Sequence, residues 1–223
     1  MTTATAATLL DDYLRGFAAA RPATLTVVGP LLAAPPRATA LREPLVWVDG
    51  GVAHRCGGDG VADRIGFAVG DGDSAQHALD QYLSADKDYS DLAYVLRRLS
   101  AYEPAHFDEV VLLGFLGARR DHELFNLGEV HRFLAAAKTP TRARFDRDIV
   151  AYSKGEWTFE ARAAFSLAVL APTKLQLTGA CKYQIATPTE LDALTSLGLS
   201  NQGFGEITLR TQGPAFILLC GIQ

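Results

Sequence analysis

From Thr24 to about Ala137, short unbroken runs of apolar and β-branched residues alternate with stretches of helical periodicity, the pattern of a parallel sheet covered by helices. Four runs read as strands, at 24–28, 45–48, 65–69 and 109–113, and their continuous apolarity suits strands buried on both faces. After Ser90, which stands at the N-cap position, Leu92, Val95, Leu96 and Leu99 recur at the spacing of one buried helical face. A second helix is predicted from about Asp121, with Leu124, Leu127, His131 and Leu134 inward and an end before Pro140. Beyond Pro140 the helical period gives way to six strand-like runs, at 148–152, 156–161, 165–170, 174–178, 206–211 and 215–220, which read as a small antiparallel sandwich or barrel. Within that half, Thr187-Pro188-Thr189-Glu190 has the form of a capping box opening a short helix that ends at Gly198. The pattern therefore predicts an α/β domain over residues 23–140 and an all-β sandwich over 141–223. The basic, proline-containing stretch 138–147 lies between them, and an Ala-rich N-terminal arm or short amphipathic helix over 1–22 precedes both.

Composition narrows the function classes. The 223 residues carry 21 Lys and Arg against 25 Asp and Glu, a net charge of -4, which does not suit a protein that grips nucleic acid through bulk charge. No apolar run approaches the roughly 18–20 residues of a membrane span, and Asp11, Asp12 and Arg15 interrupt the N-terminal stretch where a secretion signal would be apolar. Cys56, Cys181 and Cys220 are odd in number, widely spaced and most simply buried apolar residues, so a reducing cytoplasm fits best. Trp47, inside a buried strand, is expected in the core.

Candidate chemistry follows from the strands, because ligands of open parallel sheets bind beyond the C-terminal strand ends. Asp49-Gly50-Gly51 follows the second strand, Gly70-Asp71-Gly72-Asp73-Ser74 the third, and Gly114 to His122 the fourth. Asp88 and Asp91 open the Ser90 helix. Asp71 and Asp73, separated by one glycine, can turn toward one hard cation such as Mg2+, with phosphate oxygens completing its shell. The glycine loop before Asp121 offers backbone N–H groups at a helix start, and Arg119 or Arg120 a forked cation. Metal-binding carboxylates beside a phosphate cradle point to phosphoryl or pyrophosphoryl transfer.

The ordered segments Val48-Asp49-Gly50-Gly51, Gly70-Asp71-Gly72-Asp73-Ser74, Lys87-Asp88-Tyr89-Ser90-Asp91 and Leu116-Gly117-Ala118-Arg119-Arg120-Asp121-His122-Glu123-Leu124-Phe125-Asn126 resemble the thiamin pyrophosphokinase family. That family shows DGG, GDxDS, KDxTD-like and GGRxDHxLxN segments in the same order. Gly179-Ala180-Cys181-Lys182-Tyr183 and Gly198-Leu199-Ser200-Asn201 resemble its later GLKY and GxSN segments. The resemblance implies magnesium-dependent transfer of pyrophosphate from ATP to the hydroxyl of thiamin, giving thiamin diphosphate and AMP. It also implies a Rossmann-like α/β nucleotide domain, a β-sandwich domain, and a homodimer with thiamin between subunits. By the same implication Asp71, Asp73 and Asp91 hold Mg2+ and the ATP phosphates, Arg119 and Asp121 complete the catalytic site, and Asp91 or Asp121 accepts the hydroxyl proton. Asp49, Gly50, Gly51, Gly117, Arg119 and His122 serve the nucleotide, while Lys87, Ser200 and Asn201 face thiamin. The chain departs from the pattern at Gly72, Ser90, Ala118, Cys181 and Gln202-Gly203. The departures at Cys181 and Gln202-Gly203 leave open a pyrophosphokinase of the same fold acting on another hydroxymethyl heterocycle, such as a pterin; an inactive nucleotide- or thiamin-binding protein is a third reading, against which Asp71, Asp73, Asp91 and Asp121 argue.

Overall fold

The structure, a computed structural model, describes residues 9–17, 20, 23–32, 43–55, 65–75, 77–101, 107–146 and 148–220. The chain divides into two compact units, Met1–Glu129 and Val130–Gln223.

In the first unit, strands β1 (Thr24–Val28), β2 (Leu45–Val48), β3 (Phe67–Gly70), β4 (Gln81–Tyr82) and β5 (Glu109–Leu113) pair in the order β5-β1-β2-β3-β4, every pair parallel. All four residues of β2 and of β3 are buried, as continuous apolar runs require in a sheet covered on both faces. The register sets Val28 beside Leu113 and Trp47, and Val48 beside Val69. The loops after β1, β2, β3 and β5 consequently leave one edge of the sheet together. The predicted third strand starts two residues late because its first residues bond elsewhere: the Ile65 carbonyl accepts the Trp47 indole N–H at 2.9 Å, and Gly66 turns at φ 84°. Trp47 is buried as expected.

Helix α1 (Leu10–Arg15) buries Leu10 and Leu14. Its start is held by the Gln81 side chain, which accepts the Leu10 N–H at 2.9 Å and donates to the Tyr94 hydroxyl at 2.7 Å. Helix α2 (Asp91–Ala101) turns Leu92, Val95, Leu96 and Leu99 inward, and the Ser90 hydroxyl caps it by accepting the Ala93 N–H at 3.1 Å. Helix α3 (Arg120–Ala136) belongs to the first unit as far as Glu129. Its expected inward face is corrected at the N-terminal end: Val130 and Leu134 are buried, Leu127 and His131 are half-buried, and Leu124 and Phe125 are exposed.

The second unit is antiparallel. Strands β6 (Arg142–Phe145), β7 (Ile149–Tyr152), β8 (Gly155–Ala161), β9 (Ala164–Ala168), β10 (Thr173–Cys181), β11 (Ile185–Leu191), β12 (Asn201–Thr211) and β13 (Ala215–Leu219) pair in the order β11-β10-β12-β9-β13-β7-β6, with β8 also on β12. The long β12 joins two sheets, pairing β9 through Asn201 and Gln202 and β8 through Gly205 to Thr211. Phe165, Leu167, Leu175, Leu177, Ile207, Leu209 and Ile217 form the core between these strands. The Thr187-Pro188-Thr189-Glu190 segment is not a helix start but part of β11, with Thr189 opposite Leu175. Among the described residues β11 pairs only β10, and an edge strand tolerates the N–H that Pro188 lacks. A 3-10 turn does occupy Ser196–Gly198, where a Cβ on Gly198 would lie 2.0 Å from the Leu167 carbonyl oxygen. Strand β6 falls within the stretch expected to be the linker. Cys181 is buried, Cys220 is exposed at the end of β13, correcting its expected burial, and Cys56 lies outside the described residues. Among the described residues no helix is long and apolar enough to cross a membrane.

Candidate functional site

The loop after β2 turns sharply at Asp49, which adopts a left-handed φ of 46° and yet is buried. Two glycines permit this. A Cβ on Gly51 would lie 2.4 Å from the Val28 carbonyl oxygen, and one on Gly70 would lie 2.8 Å from Asp49 Cβ. The Asp49 carboxylate then reaches across to the loop after β3, accepting the Gly72 N–H at 3.1 Å and the Ser74 hydroxyl.

That loop presents Asp71 and Asp73. Asp71 Oδ1 accepts the Asp73 N–H at 3.2 Å, and Asp71 Oδ2 lies 2.5 Å from Lys87 Nζ. The same ammonium is 3.1 Å from Oδ1 of Asp91, the first residue of α2. The hydrogen bond from Lys87 holds the Asp71 carboxyl below its usual range, while the Asp71 charge raises Asp73. Burial raises Asp91 against the opposing pull of Lys87. Burial also works against the Lys87 charge, and the pull of the Asp71 and Asp91 carboxylates outweighs it.

The loop after β5 is fixed by α3: Asn126 Nδ2 donates to the Phe115 carbonyl at 2.9 Å, and Glu123 Oε1 accepts the Gly117 N–H at 2.6 Å. Gly117 has a φ of 117°, and this conformation, not crowding, calls for glycine. Arg119 pairs with Asp121 at 2.5 Å on the exposed surface and lowers its carboxyl to about 2.

These loops enclose a cavity of about 570 Å3 within the first unit, lined among others by Asp49, Asp71, Asp73, Lys87, Asp91, Arg119 and His122. Gly50, Gly51, Gly117 and Asp121 do not line it; the glycines shape the backbone beside it and Asp121 holds Arg119. Ser74, Tyr89 and Asn126 also line it and had no assigned role. Asn126 stands four residues after His122, hence on the same helical face, a spacing readable from sequence.

Asp49, Asp71 and Asp73 each offer a carboxylate oxygen within 4.8 Å of the others. Asp91 Oδ1 is buried without a hydrogen-bond partner. An all-oxygen, acidic donor set of this kind suits Mg2+. Ser200 and Asn201 belong to the second unit. Ser200 has a φ of 59° and its N–H donates to the Ser166 hydroxyl at 3.1 Å, whereas the buried Asn201 amide is engaged by the backbone of Tyr183 and Gln202.

Solved structures carry the same architecture. The chain superposes on thiamine pyrophosphokinase from Bacillus subtilis with a TM-score of 0.67 at 20% identity, over 89% of this chain and 100% of that one. The Geobacillus thermodenitrificans thiamin pyrophosphokinase gives 0.67 at 22% identity, over 90% and 99%. The Candida albicans enzyme gives 0.65 at 14%, over 92% and 89%. The chain has the thiamin pyrophosphokinase fold. It is a mixed, largely β fold with few helices, and the sequence resemblance and the structural likeness point to the same proteins. No family model and no curated protein sequence matches the chain.

Proposed function

We propose that the protein is a thiamin pyrophosphokinase, transferring the pyrophosphoryl group of ATP to the hydroxyl of thiamin and releasing AMP. In this reading the first unit is a Rossmann-like ATP site and the second a β-sandwich that supplies the acceptor side. One observation carries it: on a fold shared with thiamin pyrophosphokinases, Asp49, Asp71, Asp73 and Asp91 line one cavity together with Lys87, Arg119 and His122.

Asp71, Asp73 and Asp91 would hold Mg2+, with Asp49 beside them; the ion would neutralise phosphate charge. Arg119 lines the same cavity and offers its guanidinium to the phosphates, while His122 and the Gly117 loop serve the nucleotide. The thiamin oxygen forms a bond to the β-phosphorus as the bond from that phosphorus to the AMP oxygen breaks, and the hydroxyl proton passes to a carboxylate. Asp121 suits that role poorly, because it does not line the cavity and Arg119 lowers its carboxyl to about 2.

Ser200 and Asn201 would face thiamin on the acceptor side, the Asn201 amide also fixing the backbone around them. Tyr183, Leu194, Leu197, Leu199 and Phe204 are all more than half exposed, large apolar side chains within one stretch of the second unit. A second copy of the chain covering them accords with a homodimer.

The test is AMP formation from ATP, Mg2+ and thiamin by the purified protein. AMP with thiamin supports the reading; AMP only with another hydroxymethyl heterocycle, such as a pterin alcohol, moves the acceptor. Tight nucleotide binding with no AMP from any acceptor would leave a binding protein.

A further inference from the structure

Two cations line the cavity, and they are placed differently. Arg119 is exposed and paired with its near neighbour Asp121. Lys87 is only 7% exposed along its side chain and is held between carboxylates from two elements, Asp71 after β3 and Asp91 at the start of α2.

A buried ammonium is stable only where charge and hydrogen bonds replace its water. Asp71 provides both at 2.5 Å, and Asp91 adds its charge at 3.1 Å. The same two carboxylates have a second claim on them. Asp71 belongs to the group whose oxygens lie within 4.8 Å of Asp49 and Asp73. Oδ1 of Asp91, buried and without a hydrogen-bond partner, has the Lys87 ammonium as its counter-charge. One carboxylate, Asp71, is therefore shared between a lysine and a candidate cation set.

We infer that Lys87 is an internal counter-ion that competes with a divalent cation for Asp71 and Asp91, and that cation binding frees its ammonium to contact the phosphates of the nucleotide. The inference rests on the reading of the cavity as a Mg2+–nucleotide site, and it gives Lys87 a role other than a thiamin contact. With no cation bound, Lys87 keeps both carboxylates turned into the cavity and prevents their mutual repulsion. A divalent ion carries twice the charge and binds carboxylate oxygen as a hard acceptor, so it outcompetes the ammonium. The lysine stem is flexible, and its charge stays in the cavity where the phosphates arrive. Lys87 is thus a positioning residue before the nucleotide binds and a phosphate contact afterwards.

Competition makes two affinities move in opposite directions. In a Lys87→Met variant, which keeps the stem and removes the charge, Mn2+ binding to the nucleotide-free protein, read by electron paramagnetic resonance, tightens by about tenfold because the carboxylates lose their competitor. ATP binding in saturating Mg2+, read by calorimetry, weakens by about tenfold. Lys87→Arg retains the cation and stays near the native protein in both. A purely structural lysine would lower both affinities together, and that result, or Mn2+ binding no tighter than native, overturns the role of Lys87 while leaving the Mg2+–nucleotide reading intact. A native protein that binds no Mn2+, with or without ATP, overturns both. A second measurement needs no variant. The chain has only five lysines, so ammonium signals of 15N-lysine-labelled native protein are few. A slowly exchanging ammonium signal should move when Mg2+ is added, and five signals indifferent to saturating Mg2+ would overturn the competition.

Discussion

Asn201 closes a ring around the backbone of Tyr183: its Oδ1 accepts the Tyr183 N–H at 3.0 Å and its Nδ2 donates to the Tyr183 carbonyl at 2.7 Å. The same Oδ1 accepts the Gln202 N–H at 2.8 Å, so one buried side chain ties the turn after β10 to the start of β12. Asn201→Ala would leave these backbone groups unpaired at a cost of about 1–3 kcal/mol. Urea denaturation measures the loss, and faster hydrogen exchange at the Tyr183 amide would locate it.

Asp71→Asn should reduce AMP formation from ATP and thiamin by about 10²-fold, because charge neutralisation on the phosphates fails. The variant should remain folded by circular dichroism. Asp121→Asn, which alters an exposed pair with Arg119 outside the cavity lining, should cost much less than Asp91→Asn. Equal losses from those two substitutions would argue against a role in the cavity that Asp91 has and Asp121 lacks.

Gly70→Ala places a methyl group 2.8 Å from Asp49 Cβ, and Gly51→Ala places one 2.4 Å from the Val28 carbonyl oxygen. Each should cost about 1–3 kcal/mol of stability through overpacking. Gly117→Ala meets nothing within 4 Å, so only its φ of 117° opposes the change. Thermal melts of the three variants would show whether crowding or conformation governs these loops.

His131 supplies a pH dependence. Burial lowers its pKa from the usual 6.5, with Arg132 adding to the effect, and its buried Nδ1 has no hydrogen-bond partner. The unfolded chain therefore binds the proton more readily, and this contribution to stability is full above about pH 6.5 and is lost as the pH falls through the lowered native value. His131→Gln should flatten the acid side of the stability profile measured by urea denaturation between pH 5 and 8. An unchanged profile would exclude His131 as the cause.

Leu197→Glu and Phe204→Glu place charges on side chains that are exposed in the single chain. Sedimentation should show a dimer for the native protein and a shift to monomer for the double variant. A native monomer would remove the homodimer from the proposal.

Strands β1, β2 and β5 were legible to the residue because nothing competes with continuous apolar runs buried on both faces. The errors lie where one residue serves two patterns. Arg142 and Arg144 hid the alternation of buried Ala143 and Phe145 in β6, and Pro188 reads as a helix start although it sits on an edge strand. On α3, Leu124 fits the helical period, but the buried residues of that helix lie further along, at Val130 and Leu134. At the site, the strand-end rule located the acidic loops, and Asp49, Asp71, Asp73, Asp91, Arg119 and His122 do line one cavity. Lys87 bridging Asp71 and Asp91 was not legible, because a motif records which residues are present and not which of them pair.

Asp49 binds the backbone and hydroxyl of the Gly70–Ser74 loop from inside the protein. The conformational entropy of that loop is therefore given up when the chain folds, not when a ligand arrives. On the proposed function, a nucleotide entering this cavity meets an acidic loop already in place, so differences in affinity among nucleotides should track the contacts each one makes and not the cost of shaping the site.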